Sequence, residues 1–439
     1  MDDCVALFGV ERVDPFHPLL RELLMKEALA IEGGPRAVTK TLNQPWPRFS
    51  EAELQVVVDL MKQPDRLAGY DGRGIVEEFE KAFADFLGVK YVLALNSGTA
   101  ALHAAYYALG IAPEDEVLVP AYTFPATATP LLQLGAVPRA VEIEEATLTV
   151  SPADLEQRLT PRCAAAVVVH LRGHPCEMDA IVQICRRNNI ALIEDCSHAH
   201  GSAYKGRRVG SFGDAAVFSL DTSKALPTLA GGALATNSLE IYEKAMSLGH
   251  IGGKMERATS PEVAALARTA LGYNYRMSPV SAALGLSQLS KLDAHNAQRK
   301  EAHEKMTEAL SSIPEITTPI TREGCDRGAW YGYRVLYNGC GRQLSREEYM
   351  KTLQAEGVDI RKSSIQPLYR YPVFQSCRAI QNHPRPQYSI GQAEDYPQTE
   401  RVYERILRLP TMHKLDAEIV EQYGRAFRKV STWLSERSD

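Results

Sequence analysis

The chain has 439 residues, too many for one ordinary domain and enough for one large and one smaller domain. Hydrophobic residues make up 45% and charged residues 23%, the balance of a globular protein with a substantial core. A net charge of −5 without any basic run argues against a nucleic-acid partner and against a polybasic membrane contact. No apolar stretch approaches the roughly 20 residues that span a bilayer. The opening MDDCVALFGVERVD carries acids where a signal peptide has cations, so a cytoplasmic location is expected. Cys4, Cys163, Cys176, Cys185, Cys196, Cys325, Cys340 and Cys377 form no C-x-x-C pair and read as reduced thiols.

Residues 1–45 show no strand–helix repeat, and GGP at 33–35 marks a loop; they are expected to form an arm on the body or on a partner subunit. Phe79, Phe83 and Leu87 then recur at helical spacing before Gly88 closes that helix. Short apolar strands follow: YVLAL (91–95), EVLVP (116–120), AAAVVVH (164–170), NIALIED (189–195), DAAVFSL (214–220) and GGALAT (231–236). Helices lie between several of them, one from about Thr99 and one over 177–187. This alternation predicts an α/β domain with a largely parallel sheet over 46–295. A polar helix near 294–312, the strand GYRVLY (332–337) and helices at 345–356 and 416–435 predict a smaller α+β domain over 296–439.

Open α/β sheets bind ligands at the carboxyl ends of their strands. After YVLAL, the residues Ser97, Gly98 and Thr99 open a helix whose free N–H groups and dipole favour a phosphate, or simply make a capped turn. The dinucleotide fingerprint GxGxxG is missing, which argues against a nicotinamide enzyme. Phe124, after EVLVP, can lie flat on a planar cofactor or fill core. Asp195 ends NIALIED, where a carboxylate can pair with a protonated pyridine nitrogen or cap a helix. His198, one helical turn on, can meet a ring hydroxyl or be an ordinary surface histidine. Ser219 and Lys224 follow DAAVFSL, and a lysine between an apolar strand and the AGG of 230–232 is placed for a Schiff base. His170 and His174 in HLRGH resemble a metal pair, but Gly173 and Pro175 oppose the helix that would align the rings, so no metal is expected.

Singly these signals are weak, but their order and spacing are specific. Residues from about 46 to 432 resemble the DegT/DnrJ/EryC1/StrS family of aminotransferases, which share the fold-type I architecture of aspartate aminotransferase. The passages that carry the resemblance include FEKAFADFLG (79–88), NSGTAAL (96–102), GIAPEDEVLVPAYTFPAT (110–127), IEDCSHAHG (193–201), GSFGDAAVFS (210–219), SK (223–224) and NYRMSPVSAALGLSQL (274–289). The resemblance implies a pyridoxal 5′-phosphate enzyme with Lys224 as the Schiff-base lysine and Asp195 on the pyridine nitrogen. It implies Phe124 stacked on the ring, His198 near the ring hydroxyl, and Gly98, Thr99 and Ser219 around the phosphate. Asn274 matches a residue that reaches the phosphate of the neighbouring subunit, so a homodimer with a shared active site is expected.

Three passages depart from the family pattern. Leu229-Ala230-Gly231-Gly232 replaces Gly-Glu-Gly-Gly, Arg172 replaces the Tyr of His-Leu-Tyr-Gly, and Tyr369 stands where many sugar-specific members have His. The resemblance implies transfer of an amino group from glutamine or glutamate to a keto sugar or ketocyclitol in secondary metabolism. The ALAIEGGP of the arm and PWP at 45–47 favour the cyclitol branch. The alternatives are a related enzyme with a dehydrating, aromatising or C–C bond-forming outcome, where Lys224 counts against dehydration while the altered Leu229-Ala230 pair keeps the others open, and a non-catalytic regulator, against which Lys224 and Asp195 both argue.

Overall fold

Residues 28–67, 73–250, 252–339, 344–376 and 390–436 are described by a computed structural model of the chain. Helices α1 (Glu51–Met61) and α2 (Ile75–Leu87) come first. Phe79, Phe83 and Leu87 are buried along one face of α2, and Gly88 ends it at φ +72°, a left-handed conformation glycine adopts without strain. There follow β1 (Tyr91–Leu95), α3 (Gly98–Ala108), β2 (Glu116–Pro120), β3 (Val137–Val141), β4 (Cys163–Val169), α4 (Met178–Arg187), β5 (Ala191–Asp195), β6 (Ala215–Ser219), β7 (Gly232–Thr236) and α5 (Leu239–Gly249).

The seven strands form one sheet in the order β1-β7-β6-β5-β4-β2-β3. Pairing is parallel from β6 through β3, while β7 runs antiparallel to both β1 and β6. The six predicted strands correspond to β1, β2, β4, β5, β6 and β7. Sequence reading missed β3, VPRAV, because Pro138 and Arg139 interrupt its apolar run; it lies at the sheet edge, where a proline leaves no ladder bond unmade. Alternate residues serve opposite faces. Leu118, Val168, Leu192 and Phe218 pack with α2 and α4. Val117, Val119, Val167, Ile193 and Val217 pack with α3 and α5. The result is an α/β/α sandwich whose parallel strands are covered on both faces.

Beyond the sheet, α6 (Pro279–Leu289) and α7 (Leu292–Leu310) lead to β8 (Ile316–Thr317), β9 (Tyr333–Tyr337), α8 (Arg346–Ala355), β10 (Arg361–Lys362), β11 (Ile406–Leu409) and α9 (Ala417–Glu436). These four strands make a second, antiparallel sheet in the order β8-β9-β11-β10. The described part of the N-terminal segment docks here. Leu29 and Val38 join the cluster of α7, α8 and α9, and the buried Glu356 carboxylate accepts from the amides of Ala30 (2.7 Å) and Ala37 (3.0 Å). Among the described residues no helix is long and apolar enough to cross a membrane. Cys163, Cys176, Cys185, Cys196 and Cys325 are free thiols; Cys4, Cys340 and Cys377 lie outside the described residues, as does most of the arm.

One buried side chain aligns the strands that carry the candidate site. Glu194 in β5 accepts from the amides of Gly210 (2.8 Å), Phe212 (2.7 Å) and Gly213 (2.8 Å) and meets His170 Nε2 at 3.1 Å. His170 Nδ1 accepts from the Cys176 amide at 3.0 Å, so its proton sits on Nε2 and points at Glu194. Burial raises the Glu194 pKa, but the bonds from His170 and the amides outweigh it and hold the carboxyl below its ordinary range. A depressed carboxyl contributes stability above its unfolded pKa of about 4.3 and loses it as pH falls through the lower folded value. The denaturant midpoint should therefore drop in that acid window. Glu194→Gln should cost about 3 kcal/mol at neutral pH and flatten the acid drop, as read from urea titrations at several pH values.

Candidate active site

At the carboxyl ends of the parallel strands lies a cavity of about 490 Å³. Eight of the nine residues singled out in the sequence line it: Ser97, Gly98, Thr99, Phe124, Asp195, His198, Ser219 and Lys224. Each arrives by a simple route. β1 delivers Ser97, whose hydroxyl caps α3 by accepting from the Ala100 amide at 3.1 Å. The first amides of the helix, those of Gly98 and Thr99, have no helical carbonyl behind them, and both residues line the cavity. Gly98 is packed against the end of β6. A Cβ there would sit 2.7 Å from the Ser219 Cβ, so the helix start approaches the strand closely only because the side chain is missing.

Asp195 ends β5, and no helix follows for it to cap. One carboxylate oxygen accepts from Thr127 Oγ1 at 3.0 Å and the other from the Ser197 amide at 3.1 Å. Thr127 is steadied in turn by Thr123, 3.1 Å away. The segment 197–200 forms turns rather than the helix the spacing suggested. His198 is buried there, its ring stacked on Tyr331 at 4.2 Å between centroids. Burial, helped by the positive charges of Lys224, Arg172 and Arg334, holds its pKa well below the usual histidine range, so the ring is neutral. Its Nδ1 is buried without a partner.

Lys224 is half-buried beyond β6, with Nζ 4.7 Å from the centre of the Tyr331 ring. Its backbone oxygen accepts from Trp46 Nε1 at 2.9 Å, which ties PWP to the lysine loop. Phe124 precedes a short turn and is 58% exposed, leaving a ring face open to the cavity. The ninth residue, Asn274, does not line the cavity. It is exposed and gives its carbonyl to Asn96 Nδ2 at 3.0 Å.

The departures fare differently. Arg172 lines the cavity in a left-handed conformation, φ +56°. Ala230 and Gly231 line it as well, while Leu229, at φ +70°, is 48% exposed. Tyr369 stays out of this chain's cavity, stacked on Tyr396 and donating to Glu400 at 2.6 Å. Sequence reading missed Thr127, Tyr331 and Trp46. Thr127 stands inside a quoted passage, but Tyr331 and Trp46 reach the site from distant segments without any periodic signal.

The histidines of HLRGH are engaged separately. His174 Nδ1 bonds the Pro175 carbonyl at 2.8 Å and its Nε2 accepts from the Arg322 amide at 3.2 Å. A different trio, His170, Glu194 and Cys196, comes within 4.8 Å. Both His170 nitrogens and the Glu194 oxygens are already bonded, and burial holds the Cys196 thiol well above its usual pKa, as a poor ligand.

This arrangement suits a flat, phosphorylated, carbonyl-bearing cofactor, and the comparisons with known proteins agree. Residues 50–428 match the model of the DegT/DnrJ/EryC1/StrS aminotransferase family. The chain belongs to that family. It is 33% identical over 420 residues to an L-glutamine:scyllo-inosose aminotransferase of Streptomyces griseus, covering 92% of this chain and 98% of the relative. It is 38% identical over 290 residues to a GDP-perosamine synthase of Caulobacter vibrioides, covering 66% and 76%. The crystal structure of 3-amino-5-hydroxybenzoic acid synthase superposes with a TM-score of 0.76 at 26% identity, covering 89% and 98%. The protein is a pyridoxal phosphate-dependent aminotransferase of fold-type I.

The cavity wall at the first turn of α3 depends on the close approach of Gly98 to Ser219. Gly98→Ala should force that turn off Ser219, cost about 1–3 kcal/mol and weaken cofactor affinity roughly tenfold or more. Titration of the apoprotein with pyridoxal phosphate, followed by absorbance, measures it; unchanged affinity would show that the packing has slack.

Proposed function

We propose that this aminotransferase carries the amino group of glutamine or glutamate to a keto group on a cyclitol or similar ring, in antibiotic-type secondary metabolism. The observation that carries the reading is the single cavity shared by Lys224, Asp195, His198, Phe124, Ser219 and the start of α3. The relative named for L-glutamine and scyllo-inosose supports that donor and a cyclitol acceptor. The GDP-perosamine synthase relative supports a nucleotide-linked keto sugar as the competing acceptor.

When bound, pyridoxal phosphate supplies an electron sink for the charge that develops on the substrate carbon. In this reading the Gly98 and Thr99 amides, the Thr99 and Ser219 hydroxyls and the α3 dipole hold its phosphate. Phe124 covers one ring face. Asp195, aimed by Thr127 and the Ser197 amide, keeps a proton on the pyridine nitrogen. Neutral His198 serves the ring hydroxyl, and its unpartnered Nδ1 supports that role. Lys224 anchors the cofactor between turnovers. In the first half-reaction its free amine would take the proton from the donor Cα as general base and hand it to the cofactor carbon; in the second it would take a proton back from that carbon and give it, as general acid, to the acceptor carbon. Donor and acceptor take turns in one site, which gives ping-pong kinetics. The exposed position of Asn274, outside its own cavity, supports a homodimer in which it reaches the phosphate held by the other protomer.

The first test is a spectrum. The purified enzyme should show a cofactor band near ~410–430 nm that falls on adding L-glutamine or L-glutamate while one near ~330 nm rises. Lys224→Ala should abolish that exchange and all turnover, and turnover surviving in the variant would overturn the assignment. A band indifferent to both donors would overturn the donor.

A further inference from the structure

Against the Lys224 cavity lies a second chamber of about 430 Å³ whose charges do not balance. The two spaces share Arg172, Ser223, Tyr331 and Ser364 as wall residues. Arg172, Arg299, Arg334, Arg361 and Arg408 line the chamber, against one carboxylate, Asp359. That carboxylate is taken, since Arg361 Nε meets it at 2.8 Å. Arg299 is occupied as well: it donates to Asn296 and His413 and lies 4.3 Å over the Trp46 ring.

Arg172, Arg334 and Arg408 remain, and among the described residues none of them has a carboxylate partner. Arg172 is 4% and Arg334 7% exposed. Nε and Nη2 of Arg172 and Nε of Arg334 are buried without any hydrogen-bond partner, although Arg334 Nη1 donates to the Tyr333 carbonyl at 3.0 Å. Burial pushes both guanidinium groups below their ordinary pKa, against the opposing pull of Tyr122 and Tyr331; Arg408 adds to the lowering of both, and Arg172 to that of Arg334. Buried cations are tolerated in native proteins when something pairs with them, and an arginine fork is shaped for a carboxylate or a phosphate.

We propose that this chamber is a subsite for a phosphate or carboxylate group carried by the keto acceptor, several bonds from the carbon that receives the amine. The inference rests on the amino-transfer reading with glutamine as donor. Glutamine bears one carboxylate, on the reacting carbon, and Arg172 walls the space where that carbon lies. Arg334 and Arg408 line the chamber and not the Lys224 cavity, so the donor leaves them bare. A neutral ketocyclitol does the same. An acceptor with a remote anion satisfies them, and the subsite then selects charged rings over neutral ones of equal size.

The test titrates inorganic phosphate and glutarate into the holoenzyme, whose cofactor site is already filled, and into the Arg334→Met and Arg408→Met holoenzymes. Calorimetry and melting temperature are followed together, so a variant that folds poorly declares itself, and the half-buried Arg408 provides a variant independent of the buried Arg334. At least one probe is expected to bind the wild type, and each variant to bind it roughly tenfold more weakly or worse. The tighter probe identifies the group as phosphate or carboxylate. Keto acceptors bearing that group should then show a KM raised by a similar factor in the variants. The inference is overturned if neither probe binds, if the variants bind as tightly as the wild type, or if the KM of glutamine rises in place of the acceptor's. A cofactor band that ignores glutamine would instead defeat the glutamine-donor reading on which the inference rests, with the anion titrations still readable.

Discussion

Strand β5 ends in two carboxylates that point to opposite faces of the sheet, and the geometry of the active site follows from that alternation. Glu194 turns inward. By gathering the amides of Gly210, Phe212 and Gly213 it fixes where the chain enters β6, and through His170 it fixes where β4 ends. Asp195 turns to the cavity, where Thr127 and the Ser197 amide aim it. Asp195 pairs with Val217 of β6, so Ser219 at the end of that strand and Lys224 beyond it take their places from a register that Glu194 helps to set. The inward carboxylate touches nothing in the cavity, yet it sets the spacing of the groups that do.

Much of this was legible in the sequence because parallel strands buried on both faces are written as unbroken apolar runs, as in AAAVVV of β4. The edge strand β3 was illegible for the converse reason, its Pro138 and Arg139 being acceptable only where one side of the strand is free. The site residues were readable as an ordered series of strand ends. Thr127 aside, the residues missed belong to segments that dock from afar. Trp46 lies 178 positions from the lysine whose carbonyl it holds. Tyr331 comes from the lead into β9 to stack on His198. Tyr369 is engaged within its own domain. The family pattern marks it for specificity, and in this chain its hydroxyl donates to Glu400 and its ring stacks on Tyr396.

Two of the three departures from the family pattern fall on strained backbone. Arg172 and Leu229 both have positive φ, +56° and +70°, a region that costs a side-chain-bearing residue about 1 kcal/mol or more. The family resemblance implies glycine at position 229, and glycine meets no such cost. The substitution thus keeps the shape of the turn against the preference of the residue. At position 172 the same conformation directs a buried guanidinium into the wall between the Lys224 cavity and the arginine chamber.

The antiparallel strand β7 has a mechanical consequence. Because it pairs with β6, the chain that leaves at Ser219 comes straight back beside it at Gly232, and Leu220 and Gly231 close the neck at 2.9 Å. Lys224 therefore sits on a loop stapled at both feet to one sheet and pinned near its crown by Trp46. Its main chain is a fixed hinge post, and only four methylenes are left to swing. The arc over which the amine can act is thereby set by the length of a side chain. Whatever is to be aminated must be carried into that arc, because the lysine has no slack with which to go and meet it.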